Sequence, residues 1–496
     1  MGSLVLALDQ GTSSSRAILF DEQGRVVANA QRELAASYPQ DGWVEQDPEA
    51  IWQTCVEVCR DALARTPRGD SVVAMGITNQ RETIVLWERS TGRALANAIV
   101  WQDRRTADAC ARLRADGREP WLVERTGLLA DPYFSASKLR WLLDHAPGAR
   151  AMAARGELAA GTIDSFLLWR LSGGQVHRTD ATNASRTQLL NLRTAAWDEE
   201  LLRLFDVPAD LLPQVSDSAG AIGTVQTQCF GLALPVTGVA GDQQAALVGQ
   251  ACLTEGMTKS TYGTGCFALT NTGATAQRSA NRLLGTIAYQ LNGTCTYGLE
   301  GSIFVAGAAV QWLRDRLGVI RHAADTQGVA QARGGDARGV YVVPAFVGLG
   351  APYWDAGARG TITGLSLDSG WEDIVVATLQ SVAFQTQDLL AAARRDGAAL
   401  AVLRVDGGMV ANDWLCQFIA DIIDLPVERP VVQETTALGA AMLAALGAGL
   451  VPSLEALGGW WQSQRRFEPA MATTRRDQLL AGWQAAVARS RAAPDG

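Results

Sequence analysis

Histidine is scarce in this chain of 496 residues, with only 3, and the 8 cysteines contain no C-x-x-C pair. His145, His177 and His322 lie far apart in sequence, so a zinc site built on histidine is not expected. The cysteines sit among apolar or small residues and read as reduced core groups of a cytosolic protein; Cys55 and Cys59, one helical turn apart, read as helix packing. Positive charge is not in excess either. With 43 Lys and Arg against 51 Asp and Glu, the formal charge is −8, which excludes a general affinity for nucleic acid or anionic membranes. Long apolar runs are missing as well: Leu4–Leu8 has no basic stretch before it, and no segment reaches the ~18 residues of a membrane span. A cytoplasmic protein without membrane insertion is expected. Finally, neither GxxxxGK[ST] nor a GxGxxG opening a helix after a strand is present. Any phosphate ligand must be held by local backbone N–H groups, a few placed cations or a metal ion.

What is present is a chain long enough for two large α/β domains. Leu4–Leu8 is short, apolar and β-rich, as suits a strand buried on both faces, and "RAILF" and "RVVANAQREL" continue it as a three-stranded antiparallel meander. "DPEAIWQTCVEVCRDALART" reads as an amphipathic helix, with Asp47 as N-cap and Pro48 at the first helical position. "SVVAMGIT" and "TIVLWE" are further strands. The second half repeats the theme: "TKSTYGTGCFALTNTGA" is strand, Gly-Thr turn and strand, followed by strands in "TIAYQL", "CTYGLEGSI", "GVYVVPAF" and "LAVLRVDGG" and by helices in "VAGAAVQWLRDRLG" and "NDWLCQFIADIID". An internal structural duplication without obvious sequence repeat is expected, dividing the chain into 1–248 and 249–496. The C-terminal "AAVARSRAAPDG" reads as a helix end with a frayed tail.

Four polar sites at strand ends stand out. In "DQGTSSSRA", Gly11 permits close backbone approach, Thr12, Ser13 and Ser14 add hydroxyls to the turn, and Arg16 adds a cation, a combination suited to phosphate oxygens. Asp9, at the end of a buried strand, needs a partner there, and a hydrated Mg²⁺ would serve. A plain polar hairpin is the alternative. In "GVAGDQQAALVG", Asp242 is either a general base at the mouth of a sheet or a helix N-cap. "LRVDGGMVANDWLCQF" joins Asp406 to Gly408 and Asn412, either as a platform for a nucleotide base and ribose or as an ordinary capped turn. In "GITNQRETIVLW", Arg81 and Glu82 are adjacent charges between apolar strands, either hydrogen-bonding vicinal hydroxyls or forming a structural ion pair.

Taken in order, "ALDQGTSSSRAI", "GITNQRET", "AIVWQDRRT", "GLLADPYFSASKLRWLL", "GTIDSFLLWRLSGG", "GVAGDQQAALVGQ", "STYGTGCFALTNTG", "AGAAVQWLRD", "PAFVGLGAPYWDAGARG" and "LRVDGGMVANDWLCQFIADI" resemble the FGGY carbohydrate kinases along essentially the whole chain. The resemblance implies an α/β fold of two duplicated actin-like ATPase (ribonuclease H-like) domains around a central cleft, with glycerol and phosphate on the first and nucleotide on the second. It implies ATP and Mg²⁺ as cofactors, with Asp9 near the metal and Thr12, Ser13, Ser14, Arg16, Thr264, Gly307, Gln311, Gly408 and Asn412 at the nucleotide. The substrate it implies is glycerol, through the "NQRE" stretch, held by Arg81, Glu82, Tyr133, Asp242 and Gln243 with Trp101 and Phe267 on its carbon face; Asp242 would be the general base. Assembly as a homodimer or homotetramer is also implied. One stretch departs from the family pattern: "GTVQTQCFGLALPVTG" lacks both the Gly-Gly-Thr-Arg run that binds fructose 1,6-bisphosphate in some bacterial members and the histidine phosphorylated in others. Neither form of regulation is expected.

Overall fold

The computed structural model describes residues 2–491, so the last residues of the expected frayed tail lie outside the described residues. Two sheets carry the architecture. In the first, the strands Ser3–Gln10, Ser14–Phe20 and Val26–Glu33 form the expected antiparallel meander. On the other side of Ser3–Gln10, the strands Ser71–Asn79 and Leu234–Gly241 follow in parallel, and Ala219–Val225 closes the edge antiparallel. Leu4 to Leu8 are all buried, because helices cover both faces and leave no solvent side for alternation. One of these helices is Pro48–Leu63, whose N-cap Asp47 accepts a hydrogen bond from the Glu49 amide at 2.9 Å.

The second sheet repeats the order. Met257–Tyr262 turns into Cys266–Gly273, and Thr294–Ile303 follows antiparallel, with Leu284–Leu291 added outside it. On the other side, Val402–Asp406 and Val427–Pro430 run parallel, and Ser463–Phe467 closes the edge antiparallel. The same succession of antiparallel and parallel neighbours in both sheets is the expected duplication. The strand expected in "GVYVVPAF" exists as Tyr341–Val343, but it pairs only with Thr361–Thr363 and stays outside the main sheet.

A helix from late in the chain, Thr435–Gly447, packs on the first sheet and against Asp242–Gly249. Its alanines join Val5, Ala7, Ile18 and Ala240 in one buried cluster. The two helices touch backbone to backbone: a Cβ on Gly439 would stand 1.7 Å from the Ala245 carbonyl oxygen, so only glycine fits. This contact clamps the helix that begins at Asp242. Seven cysteines are buried, Cys295 is half-buried, and all eight are free thiols.

Candidate active site

Asp9, Arg81 and Asp242 stand at or just beyond the ends of the strands Ser3–Gln10, Ser71–Asn79 and Leu234–Gly241. The buried strand Leu234–Gly241 delivers Asp242 as the first residue of its helix. The Gly241 amide donates to Thr182 Oγ1 at 2.9 Å, and a Cβ there would lie 2.7 Å from the Arg81 side chain. Gly241 therefore lets Arg81 lie flat against the helix start. Asp242 is not the N-cap, a place taken by Gly241; its Oδ1 accepts from the Gln243 amide at 2.7 Å and lies 3.1 Å from Arg81 Nε. Its side chain is 31% exposed, and among the described residues no donor reaches Oδ2. That leaves one carboxylate oxygen free to take a proton.

Arg81 and Glu82 follow the strand Ser71–Asn79 and are almost fully buried, Glu82 in the left-handed region at φ 60°. Such a backbone costs of order 1–3 kcal/mol and persists only where the surroundings enforce it. Here they do. Arg81 Nη1 bonds Glu300 Oε2 at 2.5 Å, Glu300 Oε1 accepts from Arg186 Nη2 at 2.9 Å, and Arg186 Nε donates to Glu82 Oε1 at 2.7 Å. Glu82 lies 3.9 Å from Arg81, closing a ring of two cations and two anions. The pair is thus part of a structural ion network, one that leaves Glu82 Oε2 without a donor among the described residues and brings Arg81 Nη2 to the Tyr133 hydroxyl at 3.4 Å. Burial raises the Glu82 carboxyl, opposed by Arg81 and Arg186. Burial also acts to raise Glu300, yet the Arg186 and Arg81 guanidiniums outweigh it and hold the carboxyl at about 2. Removing one member would strand a buried charge at a cost of about 3–5 kcal/mol.

The sequence reading missed Arg186 and Glu300. Glu300 carried the signal that exposed Arg81 and Glu82, a charge inside an otherwise apolar strand, "YGLEGSI"; Arg186, in a turn, carried none. Because Glu300 belongs to the second sheet and the other three to the first half, the network spans the two halves.

Aromatic rings roof this cluster. Trp101 meets Tyr133 edge to face at 5.5 Å and Phe267, from the second half, at 6.2 Å between ring centroids. Trp101 Nε1 donates to Thr12 Oγ1 at 2.9 Å, which ties the cluster to the first Gly-Thr turn. In that turn the Gly11 amide bonds the Ser14 carbonyl at 2.9 Å; Ser13 is exposed, and Thr12 and Ser14 are half-buried. Arg16 is turned elsewhere: its guanidinium pairs with Glu434 and its Nε donates to Gln31. Asp9 is partly buried, and no described residue donates to its carboxylate. Burial raises it to about 6, Arg16 lowers it and Asp242 raises it. Among the described residues no group of three His, Cys, Asp or Glu side chains could cage a metal. A single unpartnered carboxylate fits Mg²⁺, which keeps most of its waters and takes the rest of its ligands from phosphate oxygens.

The second Gly-Thr turn lies at the mouth of a cavity of about 580 Å³, whose wall includes Thr264, Gly307, Gln311, Gly408 and Asn412. All five expected nucleotide residues of the second half are therefore together. The carbonyls of Gly263 and Thr264 accept from the Gly307 and Ala308 amides, so the helix Gly307–Asp315 starts against the turn with its first amides already donated. Asn412 also caps the helix Asp413–Ile423, accepting from the Leu415 amide at 3.0 Å. Arg314, Thr326 and Met409 are also among the lining residues and were not foreseen.

The sequence pattern of the N-terminal domain of the FGGY family of carbohydrate kinases matches residues 4–249, and that of its C-terminal domain matches residues 258–448. The chain belongs to the FGGY family of carbohydrate kinases. Among its FGGY relatives, the glycerol kinase of Rhodospirillum centenum is 60% identical over 99% of both chains. Glycerol kinase 1 of Pseudomonas aeruginosa is 58% identical, again over 99% of each. The crystal structure of Plasmodium falciparum glycerol kinase with ADP superposes with a TM-score of 0.94 at 34% identity, covering 99% of this chain and 98% of that one. The architecture is thus the two-domain FGGY kinase fold, of the actin-like ATPase type.

Proposed function

We propose that the protein phosphorylates glycerol at a terminal hydroxyl, converting ATP to ADP and yielding sn-glycerol 3-phosphate for glycerol catabolism. The observation that carries this reading is the meeting of Asp242, Arg81, Glu82 and Tyr133 under Trp101 and Phe267, one hydrogen bond away from the Thr12 turn. Full-length relatives named glycerol kinase support the choice of polyol.

Glycerol hydroxyls would donate to Glu82 and accept from Arg81 and Gln243, while the carbon chain lies against the aromatic rings. Asp242 Oδ2 takes the proton of the terminal hydroxyl as its oxygen attacks the γ-phosphorus in line. ADP leaves toward the cavity behind Thr264. Asp9 would hold a hydrated magnesium ion, which would supply charge neutralisation at the phosphate oxygens. Little bond-making falls to the protein itself, so positioning and exclusion of water dominate. Among the described helices none is long and apolar enough to cross a membrane, and the cytoplasm is the compartment that fits this substrate pair. Following the family resemblance, the chain would act as a dimer or tetramer, which sedimentation of the purified protein tests.

The substrate is tested by ADP release over a panel of glycerol, a tetritol, xylulose and gluconate. Glycerol should give the highest kcat/KM by at least about tenfold, the margin expected where a site's fixed donors and acceptors are matched by the hydroxyls of one substrate. Faster turnover of a pentulose would assign the site to another polyol.

A further inference from the structure

Beside Asp242 lies a buried cation that the reaction as described does not use. Lys259 is 0% exposed, on the strand Met257–Tyr262 that leads into the second Gly-Thr turn. Among the described residues it joins no ion pair; its ammonium donates to Gln243 Oε1 and, at 3.1 Å, to Thr261 Oγ1. Burial lowers its pKa, and the carboxylates of Asp406, Asp242 and Glu300 oppose that shift. An ammonium in such a place is costly unless hydrogen-bond acceptors surround it, and Gln243 and Thr261 supply them.

An ammonium has three donors and no acceptor. Facing it, a glutamine amide has one allowed orientation, because turning the amide over would set N–H against N–H. Oε1 is therefore held toward Lys259, and Nε2 is the end turned to a ligand. Among the described residues nothing accepts from Nε2, and Gln243 remains 8% exposed. Its neighbours offer the opposite chemistry, since Asp242 Oδ2 and Glu82 Oε2 can only accept while ionised. A hydroxyl, which donates one hydrogen bond and accepts others, satisfies both sides at once.

We propose that Lys259 is a positioning residue that locks the Gln243 amide as a pure hydrogen-bond donor to a substrate hydroxyl oxygen, acting across the cleft from the second half on a residue of the first. This rests on the reading of Asp242 and Gln243 as part of a polyol site.

The test is steady-state kinetics on the full chain at saturating MgATP, with glycerol varied, for wild type, Lys259→Met, Gln243→Ala, the double variant, Lys259→Arg and Gln243→Glu. Lys259→Met should raise KM for glycerol about tenfold, the loss of one well-placed hydrogen bond, with kcat within about threefold. Gln243→Ala should do the same, and the double variant should be no worse than either, because both remove one interaction. Lys259→Arg, still donor-only, should keep KM within about threefold of wild type. Gln243→Glu retains a partner for Lys259 and so keeps the fold, yet presents an acceptor in place of the donor; KM should again rise about tenfold. ADP binding by calorimetry, unchanged in each variant, reports an intact fold. Multiplying KM effects in the double variant would overturn the proposal, as would a wild-type KM in Gln243→Glu or a fall in kcat with KM unchanged in Lys259→Met. If wild type turns over a different polyol, the polyol assignment fails by itself, and the same cycle run on that polyol still decides the role of Lys259.

Discussion

The two Gly-Thr turns occupy equivalent places in duplicated sheets, yet they are chemically unlike. The first follows Asp9 and contains Thr12, Ser13 and Ser14 between strands that pair Asp9 with Arg16. The second is Gly263-Thr264-Gly265, with the neutral Thr261 where the first has Asp9; it bonds the start of the helix Gly307–Asp315 and lines the cavity of about 580 Å³. One turn offers side-chain oxygens and a carboxylate; the other offers backbone and space. Duplication supplied two identical supports, and the difference between them fits the division of labour between transferred phosphate and held nucleotide.

The largest expected effect separates the halves altogether. Asp242→Asn should lower kcat by about 10²–10⁴, the range for a general base, while ADP affinity measured by calorimetry stays within about threefold. A parallel loss of ADP binding would mean that Asp242 belongs to the nucleotide half.

Asp9 gives the next contrast. Burial pushes its carboxyl up to about 6 in the folded protein, above the ordinary 3.8, so the proton it retains stabilises the fold at low pH, and that contribution is lost as pH rises through about 6. Without Mg²⁺, Asp9→Asn should therefore be more stable than wild type above pH 6, by up to about 3 kcal/mol, with the gap closing toward pH 4. Urea unfolding at pH 4.5 and pH 8 in the presence of a chelator measures this, and an equal gap at both values would contradict it. Thr261→Val, at the equivalent place in the second turn, should show no pH-dependent difference.

The smallest effect concerns the turn hydroxyls. Thr12→Val removes both a phosphate donor and the acceptor of Trp101 Nε1, and should raise KM for ATP about tenfold. Thr264→Val should change it by less than about threefold, because among the described residues the Thr264 hydroxyl supports no other side chain, whereas that of Thr12 supports Trp101. Equal effects on ATP affinity would erase the proposed asymmetry.

Much of this was legible in the sequence. The meander, the capped helix after Asp47 and both Gly-Thr turns followed from local pattern, since each depends on residues close together in the chain. The helix Thr435–Gly447 was harder: "TTALGAAMLAALG" is small and apolar on every side, so no face marks its contact with the first sheet. In the site, Arg81, Glu82 and Asp242 stood out as polar groups at the ends of buried strands. Their supports did not, because Glu300 lies 219 positions from Arg81 and Arg186 lies 104 from Glu82. Charge balance in a buried network is settled by neighbours in space, and local pattern carries no record of them. Arg16 shows the converse: a cation well placed in sequence spends its guanidinium on Glu434.

We propose a division of labour in which the second half presents a phosphate and the first half transfers it to a polyol. Its most direct test is the rate of ADP release from MgATP by the wild-type protein with and without glycerol. Glycerol should raise that rate at least about 10²-fold over hydrolysis by water, since only the polyol meets Asp242, Arg81 and Glu82 together. Equal rates with and without glycerol would contradict it.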